Sequence, residues 1–251
     1  MCLKEDNIKR AIKASISIAM LIVILTIVVI VIIKYNVEGE KNMPFKLSKI
    51  TIISTAEGLE PEENDQNIKW KLNLIQNNDI YISIAKNGED NKESIIESVK
   101  IENININNTP QIGNIKAYMP SSVDGRIYQY KDEYIIEDKL EYIGSNKNNT
   151  KTLEIGNQGG NISMSFVNTG IGTYESNEDT EIKHDGSLIK KLGKNEKELE
   201  FSVSFDLVIK INNKNYRTNI NLDLPCGNIL DEGTSTKEIT DTDKFVFKRE
   251  N

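Results

Sequence analysis

The sequence predicts a mainly β protein, in which an N-terminal transmembrane helix is followed by an antiparallel β-sandwich-like domain. Two observations predict this fold class. Residues 14–33 read ASISIAMLIVILTIVVIVII, an uncharged apolar run. After this run, apolar and polar residues alternate with a period of two in many short segments, and turn-forming residues separate these segments. This pattern, with almost no helical periodicity, is typical of sandwiches and barrels of antiparallel strands.

The apolar run has the length of a membrane-spanning helix. Its twenty residues would span ~30 Å at a rise of ~1.5 Å per residue, which matches the hydrocarbon core of a bilayer. A signal peptide has a shorter apolar stretch followed by a small-x-small cleavage site, whereas this run continues into Lys34-Tyr35-Asn36. A buried core helix would not need an apolar surface on all sides. We therefore predict a transmembrane helix at 14–33 that is not cleaved.

The charges beside the run predict its orientation. Lys4, Lys9, Arg10 and Lys13 precede it, and basic residues favour the cytoplasmic side of a membrane. We expect residues 1–13 to form a short cytoplasmic tail and the chain after about Tyr35 to lie outside, so that the protein is a single-pass protein of the cell membrane. A tail of this length is too short to fold as a cytoplasmic domain.

The rest of the chain divides into a connector at 34–44, an exported β domain at 45–230, and a polar C-terminal segment at 231–251 with a possible last strand. Of the 31 basic and 38 acidic side chains, five basic and two acidic ones lie in residues 1–34. The remaining 26 basic and 36 acidic side chains make the exported part acidic. This charge argues against nucleic acid as a partner and is compatible with cationic partners or metal ions.

Two segments predict β-hairpins. In IKWKLNLIQNNDIYISIAKN (68–87), apolar residues alternate on both sides of Asn77-Asn78-Asp79, which we interpret as a turn. In LEFSVSFDLVIKINNKNYRTNINLDLP (199–225), the alternation is longer, and the turn is predicted at 212–215. Such long alternation indicates strands with one face in a core and one face in solvent.

The remaining secondary structure is predicted from shorter patterns. Further strands are expected at 46–54, 98–106, 114–119, 126–130, 139–143, 152–155, 161–168 and 244–248. Short helical turns are expected at 93–97 and 187–192. The glycines of the stretch at 154–175 are interpreted as turn and bulge residues between strands, because no Lys-Ser/Thr pair of a phosphate-binding loop follows them.

One candidate for catalysis combines Cys226 with His184, the only histidine of the chain. With Arg217 or Arg249, these residues would supply the thiolate, the imidazole and the oxyanion-stabilising cation of a sortase-like transpeptidase. The local motif does not match, because sortases have a TLxTC-like strand end with an arginine shortly after the cysteine, and this chain has LDLPCGN. The simpler interpretation makes His184 a surface turn residue and Cys226 a small apolar one.

Neither a metal site nor a cofactor site is predicted. Acidic clusters occur at 60–65, 175–181 and 241–243, but none has the spacing of a calcium-binding loop, and we interpret them as solvated loops. Cys2 and Cys226 are expected on opposite sides of the membrane, so that they cannot form a disulfide within one chain. The sequence thus yields no catalytic, cofactor-binding or metal-binding residue with a matching motif.

Several segments resemble a known group of proteins. NMPFKLSKITIISTAEG after the apolar run, together with LEIGNQGG, EIKHDGSLIKK and LDLPCGNI, is similar to uncharacterised single-pass membrane proteins of clostridial-type Gram-positive bacteria. The resemblance extends over nearly the whole exported part and implies an anchor followed by an exported β-rich domain. It implies no activity and supplies no catalytic residue.

These expectations favour a membrane-anchored extracytoplasmic binding or assembly module of the bacterial cell envelope. Its partner would be an envelope protein or a wall component, and no enzymatic role is favoured. The alternative is an anchored cysteine transpeptidase or hydrolase that uses Cys226 and His184. The two functions differ in whether those two side chains lie together in the fold.

Overall fold

The computed structural model describes residues 2–40, 43–61, 68–88, 93–121, 127–145, 153–178 and 181–250. The chain begins with the long helix α1 (Cys2–Glu38) and continues as a mainly β domain. The predicted fold class is confirmed, because two sheets pack face to face after one apolar helix.

Helix α1 contains the predicted transmembrane helix. Residues Ile12–Glu38 are long and apolar enough to cross a membrane, with a mean hydropathy of 3.5, and the domain covers none of their most apolar stretch. The helix also extends through residues 34–38, which the sequence analysis assigned to a connector. No helix-breaking residue occurs there before Gly39, so the helical hydrogen bonds continue to that point.

The end of α1 is attached to the C-terminal part of the chain. Gly39 has the left-handed φ of +67° typical of a residue that ends a helix, and its N–H donates to the carbonyl of Tyr35 at 2.8 Å. The N–H of Glu40 donates to the carbonyl of Phe247 at 2.8 Å. The N–H of Arg249 donates to the phenol oxygen of Tyr35 at 2.9 Å. The helix therefore joins the domain through hydrogen bonds to its last residues.

The described residues of the domain form strands and a few short helical segments. The strands are β1 (Phe45–Leu59), β2 (Trp70–Lys86), β3 (Ile96–Asn108), β4 (Asn114–Tyr118), β5 (Lys139–Gly144), β6 (Leu153–Ile155), β7 (Gly159–Ser176), β8 (Phe201–Ile211), β9 (Lys214–Leu224), β10 (Thr234–Ile239) and β11 (Lys248–Arg249). The helical segments are α2 (Ser187–Lys191), α3 (Ile229–Glu232) and two 3-10 turns, Asp132–Tyr134 and Glu196–Glu198.

The strands form two sheets. The first sheet has the order β10-β1-β2-β7-β4, and all of its pairs are antiparallel. The second sheet has the order β11-β9-β8-β3-β5-β6 and is antiparallel except for the pair β5–β6. Alternate residues of both sheets face each other and form one core, which contains the fully buried side chains of Phe45, Phe166, Phe201 and Phe205.

The hairpin of β8 and β9 is confirmed. Ile211 pairs with Lys214, so only Asn212 and Asn213 lie in the turn. Both asparagines have positive φ, 49° and 61°, which is the backbone of the two-residue turn that matches the twist of a hairpin. The inward residues of both strands are buried as the alternation predicted.

The hairpin predicted at 68–87 is wrong. The segment forms the single strand β2, and Asn77, Asn78 and Asp79 lie in its middle instead of in a turn. Strand β1 pairs with β2 across all three residues on one side, and β7 pairs with them on the other side. Because two long neighbours supply the backbone hydrogen bonds, the polar side chains do not interrupt the strand.

Three shorter predicted elements have different outcomes in the structure. No strand forms at 127–130, while residue 126 of that predicted strand lies outside the described residues. Residues 93–97 are not helical, because Ile96 already pairs with β8 at the start of β3. The helix predicted at 187–192 is confirmed as α2.

The C-terminal segment takes part in both sheets. β10 pairs with β1 although its sequence is polar. The strand predicted at 244–248 does not form at 244–247, and β11 covers only Lys248 and Arg249. Both strands lie at sheet edges. An edge strand is paired on one side only and is open to solvent on the other, so polar side chains are tolerated.

We predict that Gly39→Ala loosens the attachment of α1 to the domain. A Cβ atom at this position would overlap with Val246 and with the carbonyl oxygen of Phe247. Hydrogen exchange of the backbone amides in residues 240–250 should become faster by about tenfold, since local opening by ~1.4 kcal/mol has that effect. Gly88→Ala is the matched control, because Gly88 also has a left-handed φ of +83° but has open space around it. Equal exchange in the two variants would contradict the prediction.

Candidate functional site

Cys226 lies just after β9 and contacts the first sheet. Its backbone N–H donates to the hydroxyl oxygen of Ser54 at 3.0 Å. Its sulfur lies 3.3 Å from the carbonyl oxygen of Ser235 and 3.6 Å from that of Ile52. The side chain is partly buried against the main core, so it packs as a small apolar residue whose thiol meets backbone carbonyls.

His184 precedes α2 and contacts β1 at a different place from Cys226. Its Nδ1 is 3.1 Å from the carbonyl oxygen of Gly58, and its ring meets the ring of Trp70 edge-on at 6.2 Å between centroids. Cys226 contacts β1 at Ser54, four residues before Gly58, and four residues of a strand span ~13 Å. The structure therefore does not bring the predicted thiol and imidazole together.

The two candidate arginines also have other partners. Arg217 lies on the outer face of the second sheet, where its guanidinium donates to Asp206 at 2.7 Å and also to Glu102 and Glu250. Arg249 lies in β11 beside the end of α1. No described contact joins either arginine to Cys226, so the predicted sortase-like group is not assembled in the described part of the chain.

A different site lies on the outer face of the first sheet. The segment between β4 and β5, described at 119–121 and 127–138, folds over this face. Its backbone is tied down by two hydrogen bonds, from Met119 to Tyr134 and from Ile136 to Ala117, both at 2.9 Å. A small apolar cluster fills the space beneath it, with Ile75, Tyr118, Val167, Leu59, Tyr130, Tyr134 and Ile135. This face of the sheet is therefore covered, whereas the alternation of the sequence predicts a solvated one.

An open pocket lies beside this apolar cluster. It has a volume of about 360 Å³ and is lined by Glu57, Asp79, Ile127, Tyr128 and Tyr130. Its volume lies in the range of small-ligand sites, roughly 300–1,000 Å³. No lysine, arginine or histidine is among the described residues that line it. We refer to it as the Asp79 pocket.

The sheet places Asp79 at the floor of this pocket. Asp79 pairs with Ile53 of β1 and with Ser165 of β7, so it lies in a central strand. Its neighbour Ile80 is buried in the main core, and successive side chains of a strand point to opposite faces. The carboxyl of Asp79 therefore points to the outer face, next to the hydroxyl of Ser165.

Several polar atoms around Asp79 are buried without a partner. Oδ1 of Asp79, Oδ1 of Asn77, the hydroxyl of Ser165 and the phenol of Tyr128 have no hydrogen-bond partner in the described part of the chain. The side chains of Asn77, Ser165 and Tyr128 are only 2%, 0% and 5% exposed. An unpaired buried polar group costs ~1–3 kcal/mol. Asp79 and Tyr128 line the pocket, and their unpaired atoms indicate a place where a ligand or water supplies hydrogen bonds.

Burial controls the protonation of the pocket. Burial raises the pKa of Asp79 from 3.8 to about 6, and the carboxylate of Glu57 adds to the increase. Burial also raises the pKa of Tyr81, and the charge of Asp79 contributes to this increase. The pKa of Tyr128 is raised too, chiefly by burial. At neutral pH the pocket therefore contains a carboxylate in poorly hydrated surroundings and neutral phenols.

The sequence analysis missed this site for a specific reason. Asn77 and Asp79 were interpreted as turn formers, and the segment containing Tyr128 and Tyr130 as a strand. Apolar residues occupy even positions on both sides of 77–79, and this phase is equally compatible with a three-residue turn and with one continuous strand. No local signal distinguishes the two, because the choice depends on β1 and β7.

The other predicted features carry no site. Among the described residues, no three His, Cys, Asp or Glu side chains are grouped so as to hold a metal ion. Parts of two acidic clusters, 62–65 and 179–180, lie outside the described residues. Gly170 is a bulge residue within β7, with a φ of +74°.

Comparison with family models, with curated proteins and with solved structures finds no match to this chain. The geometry of the Asp79 pocket is therefore the basis for the functional conclusions below.

We predict that Asp79 makes the protein less stable as the pH rises. Because the pKa is higher in the folded state than in the unfolded one, the folded state binds the proton more tightly, and this contribution is complete below pH ~4 and lost above pH ~6. A difference of about two pKa units corresponds to ~3 kcal/mol. Urea unfolding of the full chain in detergent, followed by the fluorescence of its single tryptophan, should show this loss between pH 4 and 7.

The variant Asp79→Asn should lack this loss and be more stable than the wild type at pH 7. Asp223→Asn is the control, since Asp223 is exposed on the second sheet. If Asp79→Asn and the wild type lose stability in parallel between pH 4 and 7, Asp79 does not have a raised pKa.

Proposed function

We propose that the protein is a membrane-anchored extracytoplasmic binding or assembly module that presents the Asp79 pocket to a partner in the cell envelope. The observation that carries this proposal is the pair of buried polar atoms without partners at Asp79 and Tyr128, two residues that line the open pocket. A folded protein normally satisfies such groups. Unpaired polar atoms at an open pocket are what a binding site requires.

The anchor supports a role at a membrane surface. Helix α1 has one segment that could span a bilayer, and the basic residues Lys4, Lys9, Arg10 and Lys13 precede that segment. The positive-inside rule favours a cytoplasmic N-terminus and hence a domain outside. The resemblance to single-pass membrane proteins of Gram-positive bacteria favours the same arrangement, with an envelope protein or a wall component as the partner.

The position of the pocket favours a partner close to the membrane. Asp79 pairs with Ile53, which lies eight residues along β1 from Phe45, the first residue of the strand after the anchor. Eight strand residues span ~26 Å. The hydrogen bonds between α1 and the C-terminal segment limit rotation of the domain about its anchor.

A binding role is favoured over the transpeptidase role. Cys226, His184 and Arg217 each have separate partners in the structure. A thiol transpeptidase needs its base within hydrogen-bond reach of the thiol. No such contact joins these residues among those that the structure describes, and so the geometry supports no second function.

The orientation can be tested by protease accessibility. Intact cells that carry the chain with different tags at its two ends are treated with an external protease. We expect the C-terminal tag to be lost and the N-terminal tag to be recovered on a small fragment in the membrane fraction, because the domain lies outside. Protection of the C-terminal tag in intact cells, with loss only after lysis, would refute the orientation.

Binding can be tested by site-specific photo-crosslinking in the native cells. A photoreactive amino acid at Ile127, which lines the pocket and is 49% exposed, should give a discrete crosslinked product that disappears in the Asp79→Asn background. The matched control is Ile106, which is 36% exposed on a strand of the other sheet. A product at Ile106 alone, or a product at Ile127 that persists in Asp79→Asn, would contradict a partner at this pocket.

A further inference from the structure

The Asp79 pocket has the charge of a cation site. Two carboxylates, Glu57 and Asp79, line it, and the other described residues that line it are neutral. Lys116, a described basic residue on the same face, pairs with Asp132 at 3.1 Å, so its charge is already matched. An anionic ligand would be repelled by both carboxylates. A cation would offset the free-energy cost of burying the negative charge of Asp79.

The polar atoms in the pocket select the kind of cation. Oδ1 of Asp79, which lines the pocket, can only accept hydrogen bonds, and it lacks a donor in the described part of the chain. The hydroxyl of Tyr128, which also lines the pocket, can accept as well as donate. A primary ammonium group has three donors and no acceptor, so it matches this set. A quaternary ammonium has no N–H and would leave the acceptors unpaired.

The apolar walls of the pocket can contact the alkyl part of an amine ligand. The rings of Tyr128 and Tyr130 and the side chain of Ile127 line it. Aromatic faces attract cations by ~0.5–2 kcal/mol, and the apolar carbons can cover an alkyl stem. A calcium ion would instead need about six or more oxygens converging at 2.3–2.6 Å, and the described residues hold no group of three acidic side chains close enough together.

We propose that the Asp79 pocket binds a primary alkylammonium group, with Asp79 and Glu57 as counter-ions and with Tyr128 as a hydrogen-bond partner. This inference rests on the proposed binding function and names the chemical class of its ligand. The same group occurs on a lysine side chain of a protein or wall peptide and on a free small amine. The pocket recognises the ammonium group in either source.

Binding should depend on pH through Asp79. With a pKa of about 6, this carboxyl is ~90% protonated at pH 5 and almost fully ionised at pH 7.5, which corresponds to about a tenfold change in affinity for a cation. The groups that face Asp79 are Glu57 from β1, Tyr81 from β2 and Tyr128 from the covering segment, while β7 contributes the neutral Ser165. The pKa values of both tyrosines are raised, so they stay neutral in this range.

The test uses the full chain in a neutral detergent and ligand-observed saturation-transfer NMR. The probes are n-butylammonium for a free amine and Nα-acetyl-lysine N-methylamide for a lysine side chain. We expect both to bind the wild type, with about tenfold weaker binding at pH 5 than at pH 7.5. Asp79→Asn should weaken binding at pH 7.5 at least tenfold and remove most of the pH dependence. Tyr128→Phe, which keeps the ring, should weaken it severalfold.

The controls separate a specific site from surface attraction. Asp223→Asn removes an exposed carboxylate on the other sheet and should leave both affinities unchanged. Tetramethylammonium and calcium chloride should not displace the probes at equal concentration. Displacement by either, or equal binding to Asp79→Asn and the wild type, would overturn the proposed ligand class. Preference for the lysine derivative over butylammonium would assign the peptide source, and equal affinity would assign the ammonium group alone, both in support.

Failure of this inference and failure of the proposed function give different results. If the crosslink at Ile127 depends on Asp79 but no ammonium probe binds, the pocket has a partner and the ligand class is wrong. If the probes bind through Asp79 but no crosslink forms in cells, the cation site stands and the envelope partner is wrong.

Discussion

The continuity of β2 is the constraint on which the rest of the domain depends. This strand lies between β1 and β7, and both neighbours pair with it across Asn77, Asn78 and Asp79. A break at these residues would divide the first sheet and uncover the core beneath it. Because the strand continues, adjacent polar side chains are forced to opposite faces of one buried sheet. One face supports the fold, and the other face forms the pocket.

On the inner face, the side chain of Asn78 has hydrogen-bond partners on both neighbouring strands. Asn78 accepts from the hydroxyl of Ser54 at 2.8 Å and donates to the carbonyl of Phe166 at 3.2 Å. The same hydroxyl oxygen of Ser54 accepts from the N–H of Cys226 at 3.0 Å. These bonds link both neighbours of β2 to the segment that follows β9. Each such bond contributes ~0.5–1.5 kcal/mol, and together they explain how polar side chains lie between apolar ones.

On the outer face, the polar residues have no such partners among the described residues. Asn77, Asp79 and Ser165 lie beneath the segment that follows β4, and Tyr128 of that segment leaves its phenol unpaired as well. Burial raises the pKa of Asp79, which means that a negative charge held in this position destabilises the fold. The acidic composition of the domain attracts cations toward it.

The features that the sequence alone determined are those that depend on neighbours in the chain. The uncharged run at 14–33 predicted helix α1, and the alternation at 199–224 predicted β8, β9 and their buried positions, including Phe205. Only the tertiary structure decided that Asn77 and Asp79 lie in a strand, that a segment covers the outer face of the first sheet, and that Cys226 and His184 lie apart. The physical reason is the range of the interactions. Periodicity and turn propensity act over a few residues, whereas β2 is held by β1 and by the distant β7, whose pairing no local pattern reveals.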